Sequence, residues 1–163
     1  VFQYINGTLA NPVTDFIMPI VTSDWVLRIV YAVAMILLLW RGSREMRWLV
    51  AFSVVTMLIA DQMASAFLKD LIGRVRPCHT LDVVHLLVNC GSGKSMPSAH
   101  ATNVFAQAAF FWVSVRRHGW WLFSFAALVA LSRGFVGVHY TFDIVVGALL
   151  GGMVGVAIAW LHI

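Results

Sequence analysis

Apolar residues run through this chain in long blocks, and polar residues gather where the blocks stop. Five stretches are apolar on nearly every face: Trp25–Trp40, Met46–Leu71, Ser98–Val115, Trp120–Ser132 and Tyr140–Leu161. Blocks that are hydrophobic all round and approach ~20 residues are the pattern of helices that cross a bilayer. Some fall short of that length, which tilt or extension into flanking residues accommodates. Residues Val1–Val21 read differently. Asn6, Asn11, Pro12, Asp15 and Pro19 interrupt them, while Phe2, Ile5, Leu9 and then Phe16, Ile17, Ile20 recur at helical spacing. That mixture predicts one or two helices lying in the membrane interface. The expected fold is an all-α membrane bundle of about five transmembrane helices plus an N-terminal interfacial helix. It is expected to form one domain over residues 1–163, with 72–97 as an extramembrane loop carrying part of the active site.

Composition agrees with the pattern. Of 163 residues, 61% are hydrophobic and 11% charged, and the mean hydropathy is +0.86, whereas a water-soluble domain carries about a quarter charged residues. The formal charge of +4 is too small to suggest nucleic acid and no basic run lies on a soluble face, so no nucleic-acid partner is expected. The partners expected are the bilayer and an anionic lipid; oligomeric state is not readable.

Counting crossings puts three polar segments, Lys69–Pro77, Gly91–Ala101 and Ser132–Asp143, on one side of the membrane. The short loops opposite hold Arg41, Arg44, Arg47, Arg116 and Arg117. Raw counts of basic residues are balanced, but once the cations of the polar segments are set aside for chemistry, the positive-inside rule makes the opposite side cytoplasmic. Trp40, Trp48, Trp112, Trp120, Trp121 and Trp160 fall at that same boundary, as an aromatic belt would. Cys78 and Cys90 lie in the long loop on the other side. An even pair in a polar loop favours a disulfide if the loop faces an oxidising compartment. Two free thiols, or a metal site with His79 and His85, are the alternatives. A periplasmic-type active side is therefore expected.

Two further patterns lie inside the spans. Gly147, Gly151 and Gly155 recur every four residues, a spacing that lets helices approach closely, within the bundle or across a dimer seam. Asp61 sits mid-span and starts a polar stripe through Ser65 to Lys69. A structural partner inside the bundle is favoured for Asp61 over a catalytic acid.

The polar segments carry the chemistry. Lys69 and Arg76 are seven apart, nearly one face of a helix across two turns, and Pro77 pushes Arg76 out of helical geometry at its frayed end. Arg offers a planar fork to phosphate oxygens and Lys a point charge, although snorkelling cations are common at membrane interfaces. Pro97-Ser98-Ala99-His100 opens the third span, where Pro is favoured, Ser98 can cap, and free backbone N–H groups bind anions. In Ser132–Asp143 (SRGFVGVHYTFD), His139 and Asp143 are four apart and would share a helix face. The carboxylate can then hold one imidazole nitrogen and expose the other as nucleophile or base, unless the two are merely a polar pair satisfied inside the bundle. Arg133 adds a third cation. Three cations, a helix N-terminus and two histidines on one face are the elements of phosphoryl transfer, and no carboxylate cluster is present to hold a metal, so no cofactor and no metal are expected.

These segments resemble the type-2 phosphatidic acid phosphatase family, with its KX6RP, PSGH and SRX5HXXXD motifs. Lys69–Pro77 and Ser132–Asp143 match fully; Ala99 stands where the second motif has Gly, and Thr141 follows Tyr140 where Pro is often found. The resemblance implies a lipid phosphatase working through a phosphohistidine. His139 would attack phosphorus, Asp143 would orient it, and His100 would protonate the leaving oxygen and then activate water. Lys69, Arg76, Ser98 and Arg133, with backbone N–H groups near Ser98 and Ala99, would bind the phosphate. Arg74 and Lys94 are candidates for a second phosphate or a headgroup. The implied substrates are lipid A 1-phosphate, undecaprenyl diphosphate, phosphatidylglycerol phosphate or phosphatidate, the first two ranked highest. A lipid phosphotransferase is the alternative. A non-catalytic transporter leaves the histidines without a task, and the soluble vanadate haloperoxidases that share such an anion site do not fit a chain this apolar.

Overall fold

The computed structural model describes residues 1–91, 93–115 and 119–163; Arg116 and Arg117 of the expected cytoplasmic cluster lie outside the described residues. Helices are the only regular structure among the described residues. A π-helical turn at Tyr4–Thr8 precedes α1 (Pro12–Val21) and α2 (Asp24–Arg41). Next, α3 (Arg44–Gln62) runs through a π-helical turn at Met63–Leu68 into α4 (Lys69–Ile72). The short α5 (Pro77–Thr80) and the long α6 (Ala99–Val115), α7 (Trp120–Phe135) and α8 (Thr141–His162) complete the bundle.

Each of the five apolar blocks is a helix. Arg44–Thr80 and Thr141–His162 are long and apolar enough to cross a membrane, and α1 with α2, bent by 51° at their junction, forms a third such unit if taken as one span. All six tryptophans of the expected belt are exposed, as lipid-facing side chains would be.

The core is the seam between α6 and α8, which run parallel. A Cβ on Gly147, Gly151 or Gly155 would run into the carbonyl oxygen of Ser98, Thr102 or Ala106, respectively. The glycines therefore serve packing within the bundle, and they set α8 backbone to backbone on α6. Helix α3 closes the core with polar links: the Ser53 hydroxyl donates to Gln107 Oε1 at 2.7 Å, and Gln107 Nε2 donates back to the Ser53 carbonyl at 2.9 Å. One turn nearer the polar end, Asn103 Nδ2 donates to Asp61 Oδ1 at 2.9 Å, the interior pairing expected of Asp61.

The N-terminal segment is tied down by one side chain. Buried Asn6 donates through Nδ2 to the carbonyls of His85 (2.8 Å) and Phe135 (2.9 Å), and its Oδ1 accepts from the His85 N–H at 2.8 Å. This clasp joins the chain start, the long loop and the end of α7. Asn11 caps α1 by accepting from the N–H groups of Val13 and Thr14.

The α6–α8 seam is testable by contrast. Gly151→Ala is expected to lower the thermal midpoint in detergent by an amount equivalent to about 1–3 kcal/mol of overpacking. Its neighbour Gly152 has open space within 4 Å of where a Cβ would stand, and is expected to accept Ala with little change. Equal shifts in the two variants would contradict the seam.

Candidate active site

The three polar segments converge at one end of the bundle, each placed by a helix end. Helix α4 stops at Ile72 because Gly73 turns left-handed, with φ at +67°. The chain then extends, and Arg76 (φ −70°, ψ 150°) precedes Pro77, the first residue of α5. Lys69 and Arg76 therefore do not share a helix face as the spacing suggested. They approach the same cavity from a helix and from the strap after it.

Helix α6 begins at Ala99, and the Ser98 N–H donates to the Asp143 carbonyl at 3.0 Å. The N–H groups of the first turn, at Ala99 and His100, have no partner within the helix. The expected cap by the Ser98 side chain is not made: Ser98 Oγ is fully buried and has no partner among the described residues.

The third segment differs from expectation in one respect. His139 lies in the turn between α7 and α8, not on α8, because Asp143 uses Oδ2 to accept the Tyr140 N–H at 2.9 Å and caps its own helix. His139 Nδ1 faces that carboxylate at 3.8 Å, beyond hydrogen-bond range. Asp143 is 0% exposed and heavily engaged: Oδ1 accepts from Arg74 at 2.8 Å, and Oδ2 also accepts from the Ser95 hydroxyl. Arg74 stacks over the Tyr140 ring as well, 4.2 Å from its centroid. Arg74 thus anchors Asp143 and does not line the cavity. Lys94 pairs with exposed Asp70 at 3.2 Å, also away from it.

A cavity of about 660 Å³ receives Lys69, Arg76, Ala99, His100, Arg133 and His139. Arg76 Nε donates to the Gly93 carbonyl at 3.1 Å, and Arg133 donates to Thr22 Oγ1 at 2.6 Å. Among the described residues, none of Lys69, Arg76 and Arg133 is in an ion pair with a carboxylate. Arg133 Nε is buried without a partner, as is Ser98 Oγ. Asp24 and Asp61 also line the cavity, but cations outside ion-pair range of a carboxylate, with spare N–H donors facing one cavity, are a site for an anion with several oxygens.

His139 is 2% exposed. Burial pushes its imidazole down to about 4, with the nearby Arg133 and Arg76 charges adding to that and Asp143 opposing it. The ring is therefore neutral at pH 7 and keeps a lone pair, as a nucleophile must.

Sequence reasoning missed four residues here. Thr22 holds Arg133, and His100 Nε2 lies 3.1 Å from the Thr22 carbonyl oxygen and 3.3 Å from Asp24 Oδ1. Ser95 and Tyr140 complete the shell of Asp143. Beside the cavity, Cys78 and Cys90 are joined in a disulfide, and His85 is paired with Asp15 at 3.0 Å, so the alternative metal site with His79 and His85 is not formed.

Known proteins share both sequence and fold. The profile of the PAP2 superfamily matches residues 50–163. A lipid A 4′-phosphatase of Bacteroides thetaiotaomicron is 33% identical over 166 residues, covering 93% of this chain and 71% of that protein. The crystal structure of Aquifex aeolicus LpxE superposes with a TM-score of 0.71 at 24% identity, covering 96% of this chain and 91% of that one. A transmembrane PAP2-type phosphatidylglycerolphosphate phosphatase from Bacillus subtilis gives the same TM-score at 22% identity, covering 98% and 83%.

The position of Arg74 predicts its phenotype. Arg74→Ala is expected to slow hydrolysis of monophosphate and diphosphate lipids alike, on the order of 10²-fold, because it lets Asp143 and His139 drift from alignment. Lys94→Ala is expected to stay near wild type on both. A loss confined to diphosphate lipids would instead put Arg74 on the substrate.

Proposed function

The chain belongs to the PAP2 superfamily, and from that premise we propose that it removes phosphate from a sugar-headed lipid of the lipid A kind through a phosphohistidine. The observation that carries this reading is the convergence of Lys69, Arg76, Arg133, His100 and His139 on one cavity.

The chemistry follows from the placement. With Nδ1 turned to Asp143, His139 offers Nε2 to phosphorus. As the N–P bond forms, the bond to the lipid oxygen breaks, and that oxygen takes a proton from His100. Neutral His100 then draws a proton from water; the water oxygen bonds to phosphorus, the N–P bond breaks and inorganic phosphate leaves. Lys69, Arg76, Arg133 and the first N–H groups of α6 surround the phosphoryl oxygens, where charge is spread in the transition state. Asp143 stabilises the positive ring that attack creates, and a small shift closes its 3.8 Å gap to a hydrogen bond. In this scheme the chain's own cations supply the charge stabilisation, and no metal is required.

Likeness to a lipid A 4′-phosphatase over 93% of the chain moves the 4′-phosphate of lipid A ahead of the 1-phosphate and undecaprenyl diphosphate. We place the protein in a bacterial inner membrane with the site on the periplasmic side. The Cys78–Cys90 disulfide beside the cavity, and Arg41, Arg44 and Arg47 at the other end of the bundle, support that orientation.

The test is phosphate release by purified protein in detergent without added metal. Wild type and His139→Ala are compared on lipid A, undecaprenyl diphosphate, phosphatidylglycerol phosphate and phosphatidate. The expected result is release fastest from lipid A, with the 4′-phosphate lost, and none from the variant. Phosphate appearing on a second lipid instead of in solution would make the enzyme a phosphotransferase, and undiminished release by the variant would remove His139 from the chemistry.

A further inference from the structure

Two residues outside the three motifs reach the site from the break between α1 and α2. The helices meet at 51°, and the junction brings Thr22 and Asp24 against motif residues. Thr22 is 2% exposed. Its carbonyl oxygen lies 3.1 Å from His100 Nε2, and its hydroxyl accepts from Arg133 at 2.6 Å. A carbonyl can only accept, so Nε2 of His100 carries a proton. Asp24 Oδ1 sits 3.3 Å from the same nitrogen, on the first turn of α2.

The charges around His100 give this contact a purpose. Arg28 from α2, Lys69 from α4, Arg76 from the strap and Arg133 from α7 all face the same cavity. Four cations around one cavity make a carboxylate placed among them a counter-charge. His139 is neutral there, and Asp61 of α3 is bonded to Asn103. Among the described residues, Asp24 is the one carboxylate in ion-pair range of the His100 ring.

We propose that Asp24 is a positioning residue for proton transfer, its carboxylate holding His100 as the imidazolium that protonates the leaving oxygen. The proposal rests on the phosphatase reading above, in which His100 is the proton donor. When the P–O bond breaks, the leaving oxygen takes the Nδ1 proton of the ring, while Nε2 keeps its own and donates it to the Thr22 carbonyl. His100 recovers its second proton from the water that cleaves the N–P bond. Asp24 is unchanged across the cycle. The junction thereby sets both the proton donor and one phosphate clamp, since Thr22 holds Arg133 through its hydroxyl.

The test compares wild type, Asp24→Asn, Asp24→Glu and His139→Ala on lipid A and on p-nitrophenyl phosphate. A nitrophenolate leaves without a proton, whereas a sugar alkoxide needs one. Asp24→Asn is expected to lower kcat on lipid A on the order of tenfold, part of what a general acid contributes, with KM little changed and p-nitrophenyl phosphate hardly affected. The basic limb of its kcat profile on lipid A is expected at lower pH than in wild type, and Asp24→Glu is expected to restore most of the rate. Equal losses on the two substrates, or a basic limb that does not move, would overturn the proposal and leave Asp24 a structural end to α2. His139→Ala, expected to be inactive on both substrates, keeps the two readings apart. Activity surviving in that variant would overturn the phosphohistidine reading and the proposal with it.

Discussion

The carboxylate of Asp143 is the constraint on which the rest of this site depends. It has no exposure to solvent, and an ionised carboxylate held away from water is costly unless its oxygens are matched with donors. Here the donors come from every motif segment. Arg74 arrives from the strap after α4, Ser95 from the approach to α6, and the Tyr140 N–H from the start of α8. The backbone of the same residue adds a further tie, its carbonyl accepting the Ser98 N–H at 3.0 Å. Satisfying one buried charge therefore fixes three segments that lie far apart in sequence, and the two histidines are carried with them.

The parallel α6–α8 seam makes that convergence possible. Glycines at 147, 151 and 155 remove the side chains that would hold α8 away from the α6 carbonyls, so the N-termini of the two helices lie together at one end. One terminus presents N–H groups beside His100; the other ends in the turn that holds His139. Packing in the apolar layer thus brings the two histidines to one end of the bundle.

Much of this was legible in the sequence, for identifiable reasons. The long helices announce themselves because a block apolar on all faces is the pattern of a buried or membrane-crossing helix, although among the described residues only Arg44–Thr80, Thr141–His162 and the bent α1–α2 pair are long and apolar enough to cross. The motif cations stand out because charges are expensive where apolar blocks end, and Pro77 does hold Arg76 in extended backbone. Spacing alone misled in two places. Gly73 ends the helix before Arg76, and Asp143 caps α8 so that His139 falls outside it. Sequence suggests a second-phosphate or headgroup contact for Arg74, because an arginine near a phosphate site looks the same whether it faces the cavity or, as here, a buried carboxylate. Thr22 and Asp24 gave no signal at all. A Thr and an acidic residue at a helix junction look like ordinary end chemistry, and their partners, His100 and Arg133, lie 78 and 111 residues from Thr22.

The central claim is that His139, neutral because it is buried and aligned by Asp143, takes the phosphoryl group covalently. Rapid-quench labelling of the purified enzyme with lipid A carrying radioactive phosphate tests this directly. The account predicts a transient protein-bound phosphate, labile in acid and stable in base, that maps to His139 and is absent from His139→Ala. Full turnover by an enzyme that never carries label on His139, at times when product is already forming, would contradict it.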